Sequence, residues 1–467
     1  MPAPAEVCSD LRRAVAGALP RLWSYLRTWQ RPDGLFGGLI ATWWSSTVET
    51  AEPHPMNQFP LLIGLVRLHG AGVRGSEWLA EAGRVADGLI GSIGRDGRLA
   101  NDYGDIPGKS TGPVFYSSCV RSLCELYLAR REERLLEAAR RLDALLARSW
   151  TRGDELVGCP VTNQELSWAW ARLWLGRARN DAALIEQAQR IARRALAHQV
   201  VGGAMAGGFH QGRFDDRLIT VYVGKCIEPL LEIGRATSDE MLIAAARRAG
   251  EYMLRQDVAA GIWLNYHGPE GWWYRLLRQA TRLDRRVFQQ RIPLYRLRRP
   301  FIRWRTIGYP SWLARSADGI RALGALGRDG ELPRAHAERY TRRLLALQYP
   351  HGGFPNAVGF FGDPARRNWQ DAAPCTRWNA YVFLLLCQLA ADLGVTEVEP
   401  AQVAAEWSCE LEGPDARLHE TRDRIELRDA TGVCWRIAKP HGRNEVITPA
   451  WRGDLSGPRA APRGHFA

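Results

Sequence analysis

Lysine is nearly absent from this chain of 467 residues: Lys109, Lys225 and Lys439 are the only three, so 60 of the 63 basic side chains are arginine. Such an imbalance follows from genomic base composition as readily as from selection for anion binding, and net charge bears on partners rather than on fold. A long apolar run is also missing. The longest, Ala380 to Ala391, is broken by Gln388 and falls short of the roughly 18 residues that suggest a membrane span. Met1 to Pro20 carries Asp10, Arg12 and Arg13 and lacks the apolar core of about 7 to 15 residues that an export signal needs, so a cytoplasmic location is expected. The nine cysteines form no CxxC pair. Cys119, Cys124, Cys226 and Cys387 lie in helical apolar patterns and read as buried free thiols of a reducing compartment. There is no P-loop, no GxGxxG after a strand and no HExxH, which leaves nucleotide and zinc-peptidase chemistry without an anchor. No metal and no cofactor is expected.

What is present is a folding composition, 46% hydrophobic and 24% charged, with 19 tryptophans and 46 glycines. That excludes a disordered chain, and aromatic-rich clefts suit flat apolar or sugar-like faces. A unit recurs along most of the sequence: a loop rich in glycine and aromatics, an apolar helix, a short turn and an amphipathic helix. The apolar helices are predicted to begin near Asn57, Phe115, Asn163, Leu218, Trp312 and Trp378. The amphipathic partners run from Ser76 to Ile90, Glu133 to Leu146, Ala182 to His198, Asp239 to Arg255 and Leu332 to Leu347. Six inner helices then face five outer ones, and the amphipathic stretch from Asp10 to Trp29 supplies the sixth. The predicted fold is all-α, an (α/α)6 toroid of helical hairpins over residues 1–395, with short turns such as Arg131-Glu132 and Thr237-Ser238 at one end and long loops at the other. Past Gly394, strands predicted at Glu406 to Leu411, Arg424 to Arg428 and Val433 to Ala438 make a small β appendage over 396–451. A Gly/Pro/Arg tail, 452–467, is expected to be disordered.

Two superfamilies share this toroid, and the stretch from about residue 10 to 394 resembles both. Tyr25-Leu26 followed by Gln30, Gly34 and Phe36 is similar to the Q-x3-G-x-aromatic repeat of terpenoid cyclases. Gln348, Gly352 and Phe354 repeat its core, and Gln256, Gly261 and Trp263 fit with one insertion. Cyclase chemistry is less well matched, because the D-x-D-D acid motif becomes Arg213-Phe214-Asp215-Asp216. For a protein prenyltransferase, Asp371 and Cys375 lack a histidine in the last inner helix to complete a zinc site. The turn from Gly234 to Glu240 before the helix Ala244 to Gly250 resembles the six-hairpin glycosidases with their lyase and epimerase relatives. That likeness implies a carbohydrate-active enzyme working by hydrolysis, β-elimination or uronate epimerisation on a glycan, free or lipid-linked. A terpenoid or polyprenyl enzyme and a non-catalytic glycan-binding toroid are the alternatives.

The loops entering the inner helices supply the candidate site. Hydrolysis needs two carboxyl groups, for which Asp102 or Asp105 with Asp215 or Asp216 is the expected pair. Elimination or epimerisation needs a base, a charge stabiliser and a proton donor, types that Tyr103, His210, Arg213, Tyr266, His267 and Asn57 offer. Trp43, Trp44, Trp263 and Trp272 are candidates to stack on sugar rings, and His54, His351, Asn356, Trp369 and Arg377 to bind substrate. Each acid alone reads more readily as a solvated or helix-capping residue, with Thr162 and Asn163 good caps. Recurrence of acids, histidines and tryptophans on converging loops favours function.

One insertion, 272–308, stands apart. Residues 275–305 hold eleven arginines against the single acid Asp284, which is +10 of the chain's net +13. Trp273, Leu276, Leu277, Ala280, Leu283 and Val287 make a helical stripe that Pro293 ends, after which Tyr295, Phe301 and Trp304 alternate with arginines. An anionic membrane surface, an acidic polymer and a partner protein are the candidates for this segment. Nucleic acid is not expected, since no recognised binding fold accompanies the charge.

Overall fold

The computed structural model describes residues 4–40, 49–51, 55–75, 77–99, 112–157, 160–256, 265–287, 294–308, 311–328, 330–355, 357–358, 374, 376–398, 408–412, 417–429, 432–439 and 444–446. The chain alternates outer and inner helices: α1 (Pro4–Arg27), α2 (Pro55–Gly70), α3 (Trp78–Gly91), α4 (Gly112–Arg130), α5 (Glu133–Trp150), α6 (Thr162–Arg179), α7 (Ala182–Ala195), α8 (Thr220–Ala236) and α9 (Glu240–Arg255). Two further helices, α10 (Trp272–Val287) and α11 (Leu294–Arg298), lie in the insertion. Then α12 (Leu313–Gly327), α13 (Glu331–Leu345) and α14 (Thr376–Asp392) complete the ring.

The even-numbered helices α2, α4, α6, α8, α12 and α14 pack side by side in that order, and α14 returns to α2, so the inner ring closes. Each meets two inner neighbours and an outer partner, which is why α4 buries residues on almost every side, from Phe115 and Tyr116 to Leu126. The outer helices need only one apolar face. In α5, Leu135, Leu136, Leu142, Leu145 and Leu146 are buried while Arg140 and Arg141 stay outside. The first helix is the outer partner of the last: α1 packs on α14, as the arithmetic of hairpins requires.

At one end the inner helices turn sharply into their outer partners. Asn180 sits in the left-handed region at φ 53° and donates its N–H to the Arg177 carbonyl, while Asp181 N–H donates to that of Gly176, and Arg131 and Ser238 adopt the same conformation in the equivalent turns. At the other end lie the long entry loops. Short antiparallel strands order them: β1 (Gly38–Ile40) with β2 (Glu49–Ala51), and β3 (Thr151–Arg152) with β4 (Glu155–Leu156). A three-stranded sheet follows from β5 (Leu218–Ile219), β6 (Asn265–Glu270) and β7 (Arg303–Gly308), and β8 (Ser311–Trp312) pairs with β9 (Ala357–Val358).

The Q-x3-G-x-aromatic motif fastens this end. Gly352 has φ +98°, and a Cβ there would lie 2.1 Å from the carbonyl oxygen of Arg21 on α1; Gly34, at φ +84°, meets the Arg84 carbonyl of α3 in the same way. Only glycine lets the turn lie against the neighbouring outer helix. Two residues on, the aromatic is sealed in and its backbone is held by an amide from the next inner helix. Phe354 N–H donates to Asn379 Oδ1 at 2.7 Å and its carbonyl accepts from Asn379 Nδ2 at 3.0 Å. Phe36 makes the equivalent pair with Gln58 at 2.9 and 2.8 Å. Gln348 closes the loop by donating to the carbonyls of Ala18 and Gly352, each at 2.9 Å.

The C-terminal appendage has five strands rather than the three read from hydropathy: β10 (Ser408–Glu412), β11 (Arg417–Thr421), β12 (Arg424–Asp429), β13 (Gly432–Ala438) and β14 (Asn444–Val446), antiparallel in sequence order. Arg417-Leu418-His419-Glu420-Thr421 was unreadable because its inward position is an acid. Glu420 is fully buried, accepting from Lys439 Nζ at 2.7 Å and Tyr25 Oη at 3.1 Å. Lys439 also lies 4.6 Å over the ring of Trp29. This pair docks the sheet on the end of α1. The 452–467 tail lies outside the described residues.

Two stability measurements follow. Gly352→Ala should lower unfolding free energy in urea by roughly 2–4 kcal/mol, through the left-handed φ and the backbone clash. Lys439→Met should cost about 3–5 kcal/mol by stranding Glu420, whereas Lys439→Met with Glu420→Gln should recover most of the loss.

Candidate active site at the ring axis

Because all six inner helices point their entry ends at the long loops, the residues one turn or two inside those ends line a cavity on the ring axis. Every inner helix contributes: Phe59 and Ile63, Ser117 and Arg121, Ser167 and Trp170, Lys225 and Glu228, Asp318 and Arg321, Tyr381 and Leu384. The upper wall is aromatic, with Phe59 and Tyr381 edge to face at 5.8 Å. Below it, Lys225 Nζ lies 3.2 Å from Asp318 Oδ2 and 5.1 Å from the Tyr381 ring. Burial raises the Tyr381 hydroxyl, against the pull of Lys225.

Further down the axis the ion pairs close into a floor. Arg321 bridges Glu228, at 2.5 Å, and Asp318, at 3.3 Å. Burial would lower the Arg321 guanidinium and raise the Glu228 carboxyl, but their mutual attraction overrides it and both are driven toward the charged form. Arg121 pairs with Glu125 at 2.6 Å and stacks 3.3 Å over Trp170. Trp170, Glu228 and Arg321 also line a second cavity, of about 530 Å³, that includes Arg67, Arg235 and Arg328 near the short-turn end. The ionic layer is the partition between the two.

The sequence placed the site on loops, and the structure distributes those candidates differently. Trp43, Trp44, His54, Asp102, Tyr103, Asp105, Trp263, Asn356 and Trp369 lie outside the described residues. Asn57 is taken up by the motif, donating to the Phe36 carbonyl at 3.1 Å. Asp216, expected as a catalytic carboxylate, is fully buried and serves as an anchor: Arg298 Nε donates to one oxygen and Arg299 Nε to the other at 3.2 Å. Asp215 is held by Arg217, with both oxygens 2.9 Å from Nε. His210 directs Nδ1 at the Asp216 carbonyl, 3.0 Å away, and stacks on Trp304 at 5.7 Å. Arg213 lies 5.4 Å over the Tyr295 ring. His267 is bracketed in the entry sheet by Gln256 Oε1 at 2.9 Å and Thr306 Oγ1 at 3.2 Å, and its neighbour Tyr266 is half-buried opposite Ile307. His351 is packed between Tyr25 and Tyr349 and accepts from Gly353 N. Arg377 is buried against Trp378. Trp272 is exposed on α10. The expected caps differ too: Val161 caps α6, and Thr162 Oγ1 instead donates to the His210 carbonyl at 2.7 Å.

These contacts converge on one buried cluster beneath the entry rim. Arg299 Nη2 donates to His198 Nδ1 at 3.0 Å, which leaves the ring proton on Nε2, 3.8 Å from Glu165 Oε2. Burial raises Glu165 to about 7, partly offset by Arg194 and Arg213. Burial and Arg299 hold His198 down at about 3, and burial with Arg299 holds His210 at about 4. Lys225, Glu228, Asp318 and Arg321 were not singled out from sequence as candidate site residues. The available signal was a charge at i, i+3 spacing on one face of an otherwise apolar helix, Lys225 with Glu228 and Asp318 with Arg321.

The pKa shifts set opposing pH trends. Folded Glu165 keeps a proton that the unfolded chain has lost above 4.5, so its contribution to stability falls as pH rises from 4.5 to about 7. His198 and His210 stay neutral when folded while the unfolded chain takes up protons below 6.5, so their contribution is lost as pH falls from 6.5 toward 4. In thermal and urea melts, Glu165→Gln should match the parent near pH 4.5 and exceed it by on the order of 2 kcal/mol near pH 8.

No family model and no curated protein matches the chain. Solved structures do match. The chain is similar to a glycosidase solved with glucose, at 16% identity and TM-score 0.53, covering 84% of this chain and 100% of that one. It is similar to the cellobiose 2-epimerase of Spirochaeta thermophila, at 14% and 0.54, covering 83% and 99%. It is also similar to an unsaturated glucuronyl hydrolase specific for heparin, at 14% and 0.52, covering 81% and 96%. These likenesses show the fold: the chain is an all-α six-hairpin (α/α)6 toroid with a small C-terminal β appendage.

Proposed function

We propose that the protein is a carbohydrate-active enzyme that takes a glycan into the axial cleft and acts on it over Lys225, Asp318 and Tyr381. The observation that carries this reading is the polarity of the axis. An isoprenoid enzyme needs a deep apolar cavity in which a cationic intermediate meets no competing base. This axis instead places Lys225, Asp318, Glu228, Arg321 and Arg121 around one cavity with aromatic walls, groups that hydrogen-bond sugar hydroxyls and stack on ring faces. A non-catalytic binding toroid would need no close acid–base pair, yet Lys225 and Asp318 are 3.2 Å apart. The fold is shared with proteins described as a glycosidase, a 2-epimerase and a glucuronyl hydrolase, which supports the same substrate class.

Asp318 is the carboxylate of this reading and Lys225 the cation that orients it and receives an anionic substituent such as a uronate. Hydrolysis would take its second carboxyl group from an entry loop, where the sequence offers Asp102 and Asp105. Elimination or epimerisation would use Tyr381 or Lys225 to move the proton next to the uronate carboxyl. Cys119, Cys124, Cys226 and Cys387 are buried and free, which supports a reducing, cytoplasmic setting. Among the described residues no helix is long and apolar enough to cross a membrane.

The test is turnover of neutral and uronate-containing oligosaccharides, following reducing-end release for hydrolysis, absorbance of unsaturated products for elimination and sugar composition for epimerisation. Asp318→Asn and Lys225→Met should each lower kcat by about 10²-fold or more while the melting curve stays cooperative. Unchanged turnover in both variants would remove these residues from the chemistry, and absence of both turnover and oligosaccharide binding in the parent would overturn the carbohydrate reading.

A further inference from the structure

A normal surface helix turns its apolar face inward, and α10 does not. Its inward side is Tyr274 and Thr281, both buried. Trp272, Leu276 and Leu283, spaced i, i+4 and i+11 on one face, are 65%, 56% and 57% exposed. Trp273, beside them, stacks on Trp272 at 3.9 Å. The short helix α11 and the 3-10 turn Arg299–Phe301 pack against α10 and add Leu297 and Phe301, also exposed. Of nine large exposed hydrophobics among the described residues, six lie on this one segment.

The flank of the apolar stripe is cationic. Arg275, Arg278 and Arg282 run along one side of α10, and Arg296, Arg303 and Arg305 are exposed nearby. No ion pair holds any of these six among the described residues, whereas Arg298 and Arg299 of the same segment are buried on Asp216. Two arginines therefore bolt the segment to the ring and these six face outward. The platform stands on the entry end, because β7 continues the sheet that begins with β5 immediately before α8.

We propose that this platform docks the protein on the surface of an anionic phospholipid bilayer, with the mouth of the ring toward the lipid. The combination selects the occupant. Leu276 and Leu283 need hydrocarbon that an acidic polysaccharide or a nucleic acid does not offer. A second copy would set one arginine-rich segment against another, and like charges across an interface repel. A bilayer surface supplies acyl chains for the leucines, an interfacial zone for the paired tryptophans and acidic headgroups for the arginines. The inference stands apart from the reaction in the cleft, because attachment is read without turnover.

Co-sedimentation of the full chain with vesicles tests it. The parent should pellet with mixed phosphatidylglycerol–phosphatidylcholine vesicles, release with added salt, and stay in solution with phosphatidylcholine alone. Reversing Arg275, Arg278 and Arg282 to glutamate should weaken attachment by about a hundredfold or more, taking each basic residue at its usual worth near an anionic surface. Trp272→Ala with Trp273→Ala should also weaken it, with the melting temperature of both variants unchanged because the side chains are exposed. No pelleting of the parent, equal pelleting with neutral vesicles, or variants that pellet like the parent would each overturn the proposal. So would a parent that is dimeric by light scattering, does not pellet, and becomes monomeric on replacing the two tryptophans. Binding to heparin without binding to vesicles would reassign the platform to an acidic polymer.

Discussion

Closure of the inner ring is the constraint on which everything else depends. Six apolar helices can bury their flanks only if the last one meets the first, and α14 does so through α2 on one side and α1 on the other. The N-terminal helix is thereby committed to the C-terminal hairpin. It also carries the docking face for the β sheet, where Tyr25, Trp29, Glu420 and Lys439 meet. Loss of α1 would uncover the outer face of α14 and release the appendage together, since each uses the same helix.

Closure leaves one surface of every inner helix that no apolar neighbour covers, the strip facing the axis. A line of hydrocarbon there would leave a dry void, and a line of unpaired charge would be costly to bury. The chain fills it with charges that satisfy each other across helices, Lys225 with Asp318 and Arg321 with Glu228, and along one helix, Arg121 with Glu125. The same ladder divides the axis, so that the entry-side cavity has a polar floor rather than a through-channel. Scarcity of lysine sharpens the point. Of the three in the chain, the two that the structure describes, Lys225 and Lys439, each pair with a buried carboxylate.

The helices and their inner or outer placement were legible because periodicity is local. A stripe such as Leu135, Leu142 and Leu146 declares one buried face without reference to any partner. The repeated glutamine, glycine and aromatic were legible as turns for the same reason, although the amides that clamp them, Gln58 and Asn379, come from helices that begin about 20 residues later. The candidate site residues were not legible in this way. His210, Asp215 and Asp216 form a dense polar cluster in sequence, which suggests chemistry. Their partners are Arg217, Arg298 and Arg299, two of them more than 80 residues away, and those partners turn the cluster into an anchor. Conversely, Asp318 and Lys225 look like ordinary polar positions on helices until the ring sets them 3.2 Å apart.

The arginine surplus followed a similar course. Sequence concentrated it in 275–305 and alternated it with aromatics, which was enough to single the segment out as a candidate interaction surface. It did not say which arginines were structural, since Arg298 and Arg299 differ from Arg296 and Arg303 only in reaching Asp216. By itself, then, the sequence determined the helices, their pairing into six hairpins, the turn glycines and the placement of the charge, because each rests on contacts within a turn or on a count. Which polar groups meet on the axis, which are consumed beneath the rim and which apolar face of α10 is left uncovered were decided only by the tertiary structure. Those outcomes depend on distances between helices far apart in the chain, and no local pattern encodes them.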